Sequence, residues 1–379
     1  MTKRETYDIA IVGGGLAGLC LSIQLSRAGS SVILFEKEKY PFHKVCGEYV
    51  SFECWNFLEE LGVPLSDWNL PHISKLIVSS PSGSTIQTKL DLGGFGISRY
   101  KLDAYLAGLS RNAGTTILDN TKVDNIWFSE SHFHVQYGGE MCKAKMACGA
   151  FGKRSNIDLK LKRDFVQKKQ NRLNNYIAVK YHIQADFPPD HIALHNFSNG
   201  YCGISRVEDD KYCLCYLTTA KSLQDNGNII PEMERNVLMR NLHLKNIFTE
   251  ATFLFEKPLA ISQISFDSKT QVEHHMLMAG DAAGMISPLC GNGMSMAMHG
   301  SKIAFEQIVL FLQGKISRAE MEEQYIQNWH AMFEKRLKTG RFIQGMFGRS
   351  WVTNWFLLAL RPFPAIVNRI VKQTHGEPF

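Results

Sequence analysis

Residues 7–36, YDIAIVGGGLAGLCLSIQLSRAGSSVILFE, decide the fold. Asp8 to Val12 form a short apolar strand, and Gly13, Gly15 and Gly18 give GxGxxG directly after it. A helix of about three turns follows, closed by Gly29, and SVILFE reads as a second parallel strand. Gly13 allows the tight turn, Gly15 lets backbone approach a pyrophosphate, and Gly18 lets helix and strand pack closely. Leu16 and Ala17 open the helix, whose free N–H groups and dipole favour phosphate. Glu36 ends the second strand 23 residues after Gly13, where an acid binds ribose hydroxyls. A carboxylate there repels a 2′-phosphate, so the site suits FAD or NAD rather than NADP. Lys37 follows and is grouped with the cofactor residues.

A second signature starts at His274: HHMLMAGDAAGMISPLCGNGMSMAMHGSKIAFEQIV. MLMAG reads as a strand, Asp281 follows its C-terminal end, and a small-residue turn leads to a helix from about Gly293. A glycine-rich helix start is a good partner for a negatively charged ring edge.

With GDAAG, a proline and GNGM, the chain resembles the p-hydroxybenzoate hydroxylase superfamily of flavoproteins, which includes aromatic hydroxylases, flavin halogenases and geranylgeranyl reductases. The resemblance implies non-covalent FAD, with Gly280 and Asp281 at the ribityl chain. It also implies that backbone N–H groups near Gly291, Asn292 and Gly293, with Met294 beside them, face the flavin's pyrimidine edge. ISRYKLDAYLAGLS resembles the superfamily's arginine helix and assigns Arg99 to the cofactor. TKVDNIWF resembles the strand beside the adenine, with Val123 as the contact. CGAFGKRS stands where the superfamily carries GADGxxS. Phe151 replaces the aspartate there, so NAD(P)H is expected as electron donor without an evident docking site.

PFHKVCGEYVS, residues 41–51, resembles the PxxKxCGxG signature of geranylgeranyl reductases, with Tyr49 in place of the last glycine. By that resemblance Lys44, Cys46 and Gly47 run beside the flavin. Cys46 then faces the active cavity as a proton source or a packing contact, and Glu48 positions the loop, starts a helix at Ser51 or acts in catalysis. A cysteine beside a helix start can have a depressed pKa. The second reductase signature, YxWxFP, is largely absent from NGYCGISR: Tyr201 aligns, Gly203 stands for the tryptophan and Ser205-Arg206 for FP. Cys46, Glu48 and Tyr201 are the catalytic candidates. The halogenase motif GWxWxIP and a matching lysine are absent.

The 379 residues carry a net charge of +6 without a long basic block, which argues against nucleic acid. The nine cysteines show no paired CxxC spacing, and CLC at 213–215 puts two thiols on one strand face as buried packing. His132 with His134, and His191 with His195, share strand faces without a third ligand, so no metal is expected. MTKRETYDIAIVGGG enters a strand at once and leaves no room for a signal peptide; WFLLAL at 355–360 is too short to span a bilayer. A cytoplasmic protein follows, with the aromatic C-terminal stretch able to rest on a membrane.

The expected fold is α/β: a Rossmann-like three-layer FAD domain from 1–74, 97–164 and 271–312. A substrate sheet of antiparallel strands comes from 75–96 and 165–270, and a helical segment from 313–379. A FAD-dependent oxidoreductase follows, monomeric or homodimeric, acting on a lipophilic small molecule. The leading expectation is an NAD(P)H-driven monooxygenase that hydroxylates or epoxidises an aromatic or polyketide/isoprenoid-type substrate. Reduction of carbon–carbon double bonds is the alternative, and a non-catalytic flavin-binding protein the third reading.

Overall fold

The computed structural model describes residues 5–168, 175–346, 353–355, 372–373 and 376–379. The first half runs β1 (Thr6–Val12), α1 (Leu16–Arg27), β2 (Val32–Phe35), β3 (Tyr49–Ser51), α2 (Trp55–Glu60), β4 (His72–Ser79) and β5 (Thr85–Gly96). It continues through α3 (Arg99–Asn112), β6 (Thr116–Leu118), β7 (Val123–Ser129), β8 (His132–Tyr137), β9 (Glu140–Gly149), α4 (Asn156–Lys160) and α5 (Asp164–Gln167). Then come β10 (Tyr176–Gln184), β11 (His191–Phe197), β12 (Gly200–Arg206), β13 (Tyr212–Thr219), α6 (Ala220–Gln224), α7 (Ile230–Asn236) and α8 (Leu242–Glu250). Four short strands follow, β14 (Thr252–Phe253), β15 (Leu259–Ile264), β16 (Val272–Glu273) and β17 (Met276–Met278). Two long helices, α9 (Gly293–Leu312) and α10 (Arg318–Met346), complete the described elements.

These strands form two sheets. In the first, β6, β2, β1, β9 and β17 are parallel neighbours in that order. Ile9 to Ile11 and Ile33 to Leu34 are fully buried, because both faces are covered and a parallel strand needs an unbroken apolar run. Helices α1, α3 and α9 lie together against it, and the hairpin β7–β8 hangs from β9. The second sheet runs β14-β10-β13-β12-β11-β4-β5-β3, with β15 on β10. It is antiparallel apart from the parallel pair β11–β4.

Register decides which residues of the second sheet share a face. Lys180 pairs with Cys215, His182 with Cys213, and Gly203 with both Cys215 and Leu194. These residues, with Ala178, Tyr201, Ser205 and Leu217, therefore face one way. The alternate set, including Val179, Tyr181, Leu214 and Tyr216, packs on Met233, Leu238 and Leu244 from the helical stretch after β13. Residues 220–250, expected as part of a strand-rich region, are thus largely helical. Their apolar residues fall at helical spacing and close the face that the cavity does not use. Tyr49–Ser51, expected in the FAD portion, pairs with β5 as the last strand of the second sheet.

Within the expected helical segment 313–379, α10 spans Arg318–Met346. The stretch WFLLAL and the proposed membrane contact fall mostly on residues outside those described. Among the described residues no helix is long and apolar enough to cross a membrane.

Candidate active site

A cavity of about 1180 Å³ opens where the parallel strands end beneath the second sheet. Pockets that bury one drug-sized molecule measure roughly 300–1,000 Å³, so this one has room for a large cofactor and more. Of the residues assigned to the cofactor from sequence, all but Gly18 and Asn292 line it, and so do Cys46, Glu48 and Tyr201.

One end is built by the first glycine turn. Gly13 has φ +112, and a Cβ there would lie 2.3 Å from the carbonyl oxygen of Ala150, so no side chain fits. Gly15 caps α1 without a side-chain bond, which leaves the first helical N–H groups facing the cavity. A Cβ on Gly15 would have only the cationic groups of Arg99 and Lys44 nearby, each 3.6 Å away. Two cations beside a bare helix start form an anion seat. Both are held in place. Asp103 accepts from Arg99 Nε and Nη2, each at 2.7 Å, and its Oδ2 also lies 3.2 Å from Lys44 Nζ. Glu36 takes the Gly14 N–H at 3.0 Å and the Glu38 N–H at 3.1 Å, while its side chain still borders the cavity. Lys37 is exposed at the mouth beside Glu38, and Val123 is a buried wall residue.

The other end is the late turn and α9. Gly280, Asp281, Gly291, Gly293 and Met294 line the cavity, and the first turn of α9 has no side-chain cap. Asn292 is fully buried behind it, and its carbonyl accepts from Met296 N and Ser295 Oγ. Two buried cations brace the Asp281 turn from behind. Lys269 Nζ donates to the Asp281 carbonyl at 2.7 Å, and Arg163 Nη1 to that of Ala282 at 3.0 Å. Burial pushes the Lys269 ammonium down to about 8, partly offset by Asp281 and Asp158. Tyr49 joins the motifs: a Cβ on Gly291 would lie 3.1 Å from its ring, and one on Gly94 would lie 2.7 Å from it. The Tyr49 ring thus lies between two glycines; Gly94 is also closed to a side chain by the Val50 carbonyl at 2.3 Å, and Gly291 by its φ of +68.

Between the ends runs the loop His43–Glu48. Cys46 is half-buried and lines the cavity, as does Cys215, while Cys213 is buried beside them. The loop leads into β3 before the turn at Ser51, so Cys46 is not at a helix start and Glu48 does not begin one. Glu48 is fully buried at φ +57. Its Oε1 accepts from Lys180 Nζ at 2.5 Å and from the Arg99 N–H at 2.7 Å, and its Oε2 from His182 Nε2 at 2.6 Å. Burial raises the Glu48 carboxyl, and Lys180 with His182 outweigh it and hold it below the usual range. Burial lowers Lys180, and Glu48 reverses that too. Both directions favour the ionised pair. Glu48, His182 and Cys213 have the donor types of a metal site, with ligand atoms within 4.8 Å of one another. Lys180 already claims the carboxylate and disfavours a cation. Tyr201 packs in the roof against Ala178, Leu217 and Met285, its hydroxyl without a partner among the described residues.

Lys180, His182, Cys213 and Cys215 were not among the sequence candidates, nor was His43, whose ring meets His182 edge-on. The signal was there: polar residues two apart within the apolar strands YIAVKYHIQ and YCLCYLTT share a face. Three of the four paired histidines have these partners: His195 Nδ1 meets Ser79 Oγ at 2.9 Å, His191 bridges Gln87 and Asp190, and His134 stacks on Trp127.

The glycine cradle, the caged cations and the second helix start suit a long phosphorylated cofactor whose ring edge takes up negative charge. They define a dinucleotide-binding flavoprotein. The chain belongs to the FAD binding domain family, whose pattern matches residues 6–337. That family makes it a FAD-dependent oxidoreductase, and the proteins it is similar to include geranylgeranyl-reductase-like ones. It is 25% identical over 365 residues to conditioned medium factor receptor 1 of Dictyostelium discoideum, covering 86% of this chain and 68% of the relative. It is 26% identical over 348 residues to a digeranylgeranylglycerophospholipid reductase of Methanococcus vannielii, covering 86% and 82%. A geranylgeranyl bacteriochlorophyll reductase-like structure from Thermoplasma acidophilum superposes with TM-score 0.80 at 17% identity, covering 99% and 97% of the two chains. A flavin-dependent brominase superposes with TM-score 0.79 at 17% identity, covering 97% and 93%.

Proposed function

We propose that the enzyme reduces carbon–carbon double bonds in a lipophilic, isoprenoid-type substrate. The observation that carries this reading is Cys46 on the wall of an otherwise largely apolar roof, beside a buried Lys180–Glu48 pair. Double-bond reduction needs a proton at carbon as well as a hydride, and a thiol at the cavity wall can hold that proton. Bound FAD supplies the hydride chemistry. Gly13, Gly15, Lys44, Arg99 and Asp281 bind and orient the cofactor. Leu194, Leu217, Ile261 and Met285 seat the apolar chain and exclude water. NAD(P)H is the proposed donor of electrons, and Phe151 leaves its docking place unassigned. The relatives named as digeranylgeranylglycerophospholipid reductases support the substrate class.

A second reading, the monooxygenase expected first from sequence, is favoured by Gly203. It lines the cavity where the second reductase signature carries tryptophan, so the bulky side chain of that signature is missing from the wall and a different substrate shape is accommodated. The test is anaerobic turnover of the reduced, FAD-loaded enzyme with a geranylgeranyl substrate, followed by mass spectrometry. A gain of two hydrogens supports reduction, with Cys46→Ala slowing it about 10²- to 10⁴-fold while FAD stays bound. Oxygen uptake coupled to substrate, with no anaerobic product, assigns the monooxygenase instead.

A further inference from the structure

We propose that Lys180, paired with Glu48, is a positioning residue that fixes the Lys44–Gly47 loop against the sheet and so sets how Cys46 faces the cavity. Four consecutive carbonyls of that loop accept from side chains. Lys44 O takes Lys180 Nζ at 3.2 Å, and Val45 O takes Lys153 Nζ at 3.2 Å. Cys46 O takes Cys213 Sγ at 3.2 Å, and Gly47 O takes Ser205 Oγ at 3.3 Å. Three of these donors stand on adjacent strands, β10, β13 and β12, so the loop is tied across the roof rather than zipped to one neighbour.

Lys180 differs from the other three donors. Its side chain is fully buried and charged, which is tolerable only because Glu48 lies 2.5 Å away with equal burial. Glu48 is itself tied to His182 and to the Arg99 N–H, and these bonds over-determine its left-handed backbone. Arg99 also stands at the anion seat, and Lys44 reaches Asp103 and Gly14 O with its own side chain. The ion pair thus joins the cofactor cations at one end of the loop to the thiol at the other. Buried pairs add little net stability against an apolar alternative, whereas they do fix one arrangement among several. The assignment stands whichever reaction the site carries.

The test uses the FAD-loaded protein and N-ethylmaleimide, with alkylation rates resolved for each cysteine by peptide mass spectrometry. Cys20 and Cys148, buried in the core of the first sheet away from Lys180, are the internal controls. Lys180→Met is expected to raise the Cys46 rate at least tenfold and to alter the visible flavin spectrum, with Cys20 and Cys148 within twofold of wild type. Because Lys180→Met strands the Glu48 charge, Lys180→Met/Glu48→Gln is measured beside it and should show the same Cys46 rate. Ser205→Ala and Cys213→Ala, which remove single latches without stranding a charge, should each raise it two- to fivefold. An unchanged Cys46 rate in the folded variants overturns the proposal. So does a parallel rise at every cysteine, which marks general loosening. No substrate is present, so the outcome is separate from the fate of the reductase reading.

Discussion

Replacing Gly15 by alanine separates binding from folding at the first glycine turn. In the protein alone the new methyl meets nothing closer than 3.6 Å, and its neighbours are the ends of Arg99 and Lys44. Gly15 has φ −88, which alanine adopts, so the cost is that of alanine as an N-cap, up to about 1 kcal/mol. In a chain of this size the FAD-free protein should melt within about 4 °C of wild type. With FAD bound, the methyl occupies the space between the cations that a pyrophosphate must enter. Overfilling a close-packed contact costs about 1–3 kcal/mol, or roughly a 5- to 150-fold weaker Kd. Gly18→Ala is the control: its Cβ would lie 2.0 Å from the Gly13 carbonyl oxygen and 3.2 Å from Ile11, so the strand–helix contact must open. That variant should lose stability before any ligand is added. Thermal melts of the FAD-free proteins and FAD titration by fluorescence quenching give both quantities. Wild-type FAD affinity in Gly15→Ala would refute the reasoning, as would equal instability of the two FAD-free variants.

Asp281→Ala should weaken FAD by the loss of one or two hydrogen bonds, each worth about 0.5–1.5 kcal/mol and more if charged; retained affinity would remove Asp281 from the cofactor site. Burial, with His243 adding, pushes His195 from 6.5 down to about 3, so its neutral form belongs to the fold. Its stability contribution is present above pH 6.5 and lost as pH falls, about 2 kcal/mol between pH 7.5 and 5. Denaturant midpoints for His195→Asn should therefore depend less on pH in that window, and an unchanged pH slope would count against this. Gly203→Leu should add a side chain to the cavity wall and raise KM for ring-bearing substrates more than for linear ones; equal effects would mean that the wall at Gly203 does not select substrate.

The cofactor ends were legible because each is a local motif. In GxGxxG and GDAAG the spacing of small residues dictates the turn, and strand and helix follow in sequence. Glu36 could be placed from the strand end it occupies, and Arg99 and Val123 from the resemblance to the flavoprotein superfamily. Helices α6–α8 were not, since short apolar runs after a strand do not say which face of a sheet still needs covering. The environment of Glu48 was equally hidden. Its partners Lys180 and His182 lie over 130 residues away, and only the register of β10 against β13 turns them to the same side as Cys213 and Cys215. By itself the sequence determined the nucleotide cradle, the parallel strands and the thiol loop as an element. Tertiary structure alone decided what that loop leans on. Cross-strand register and loop closure are long-range choices, settled by burying Glu48 and Lys180 together, and no local spacing encodes them.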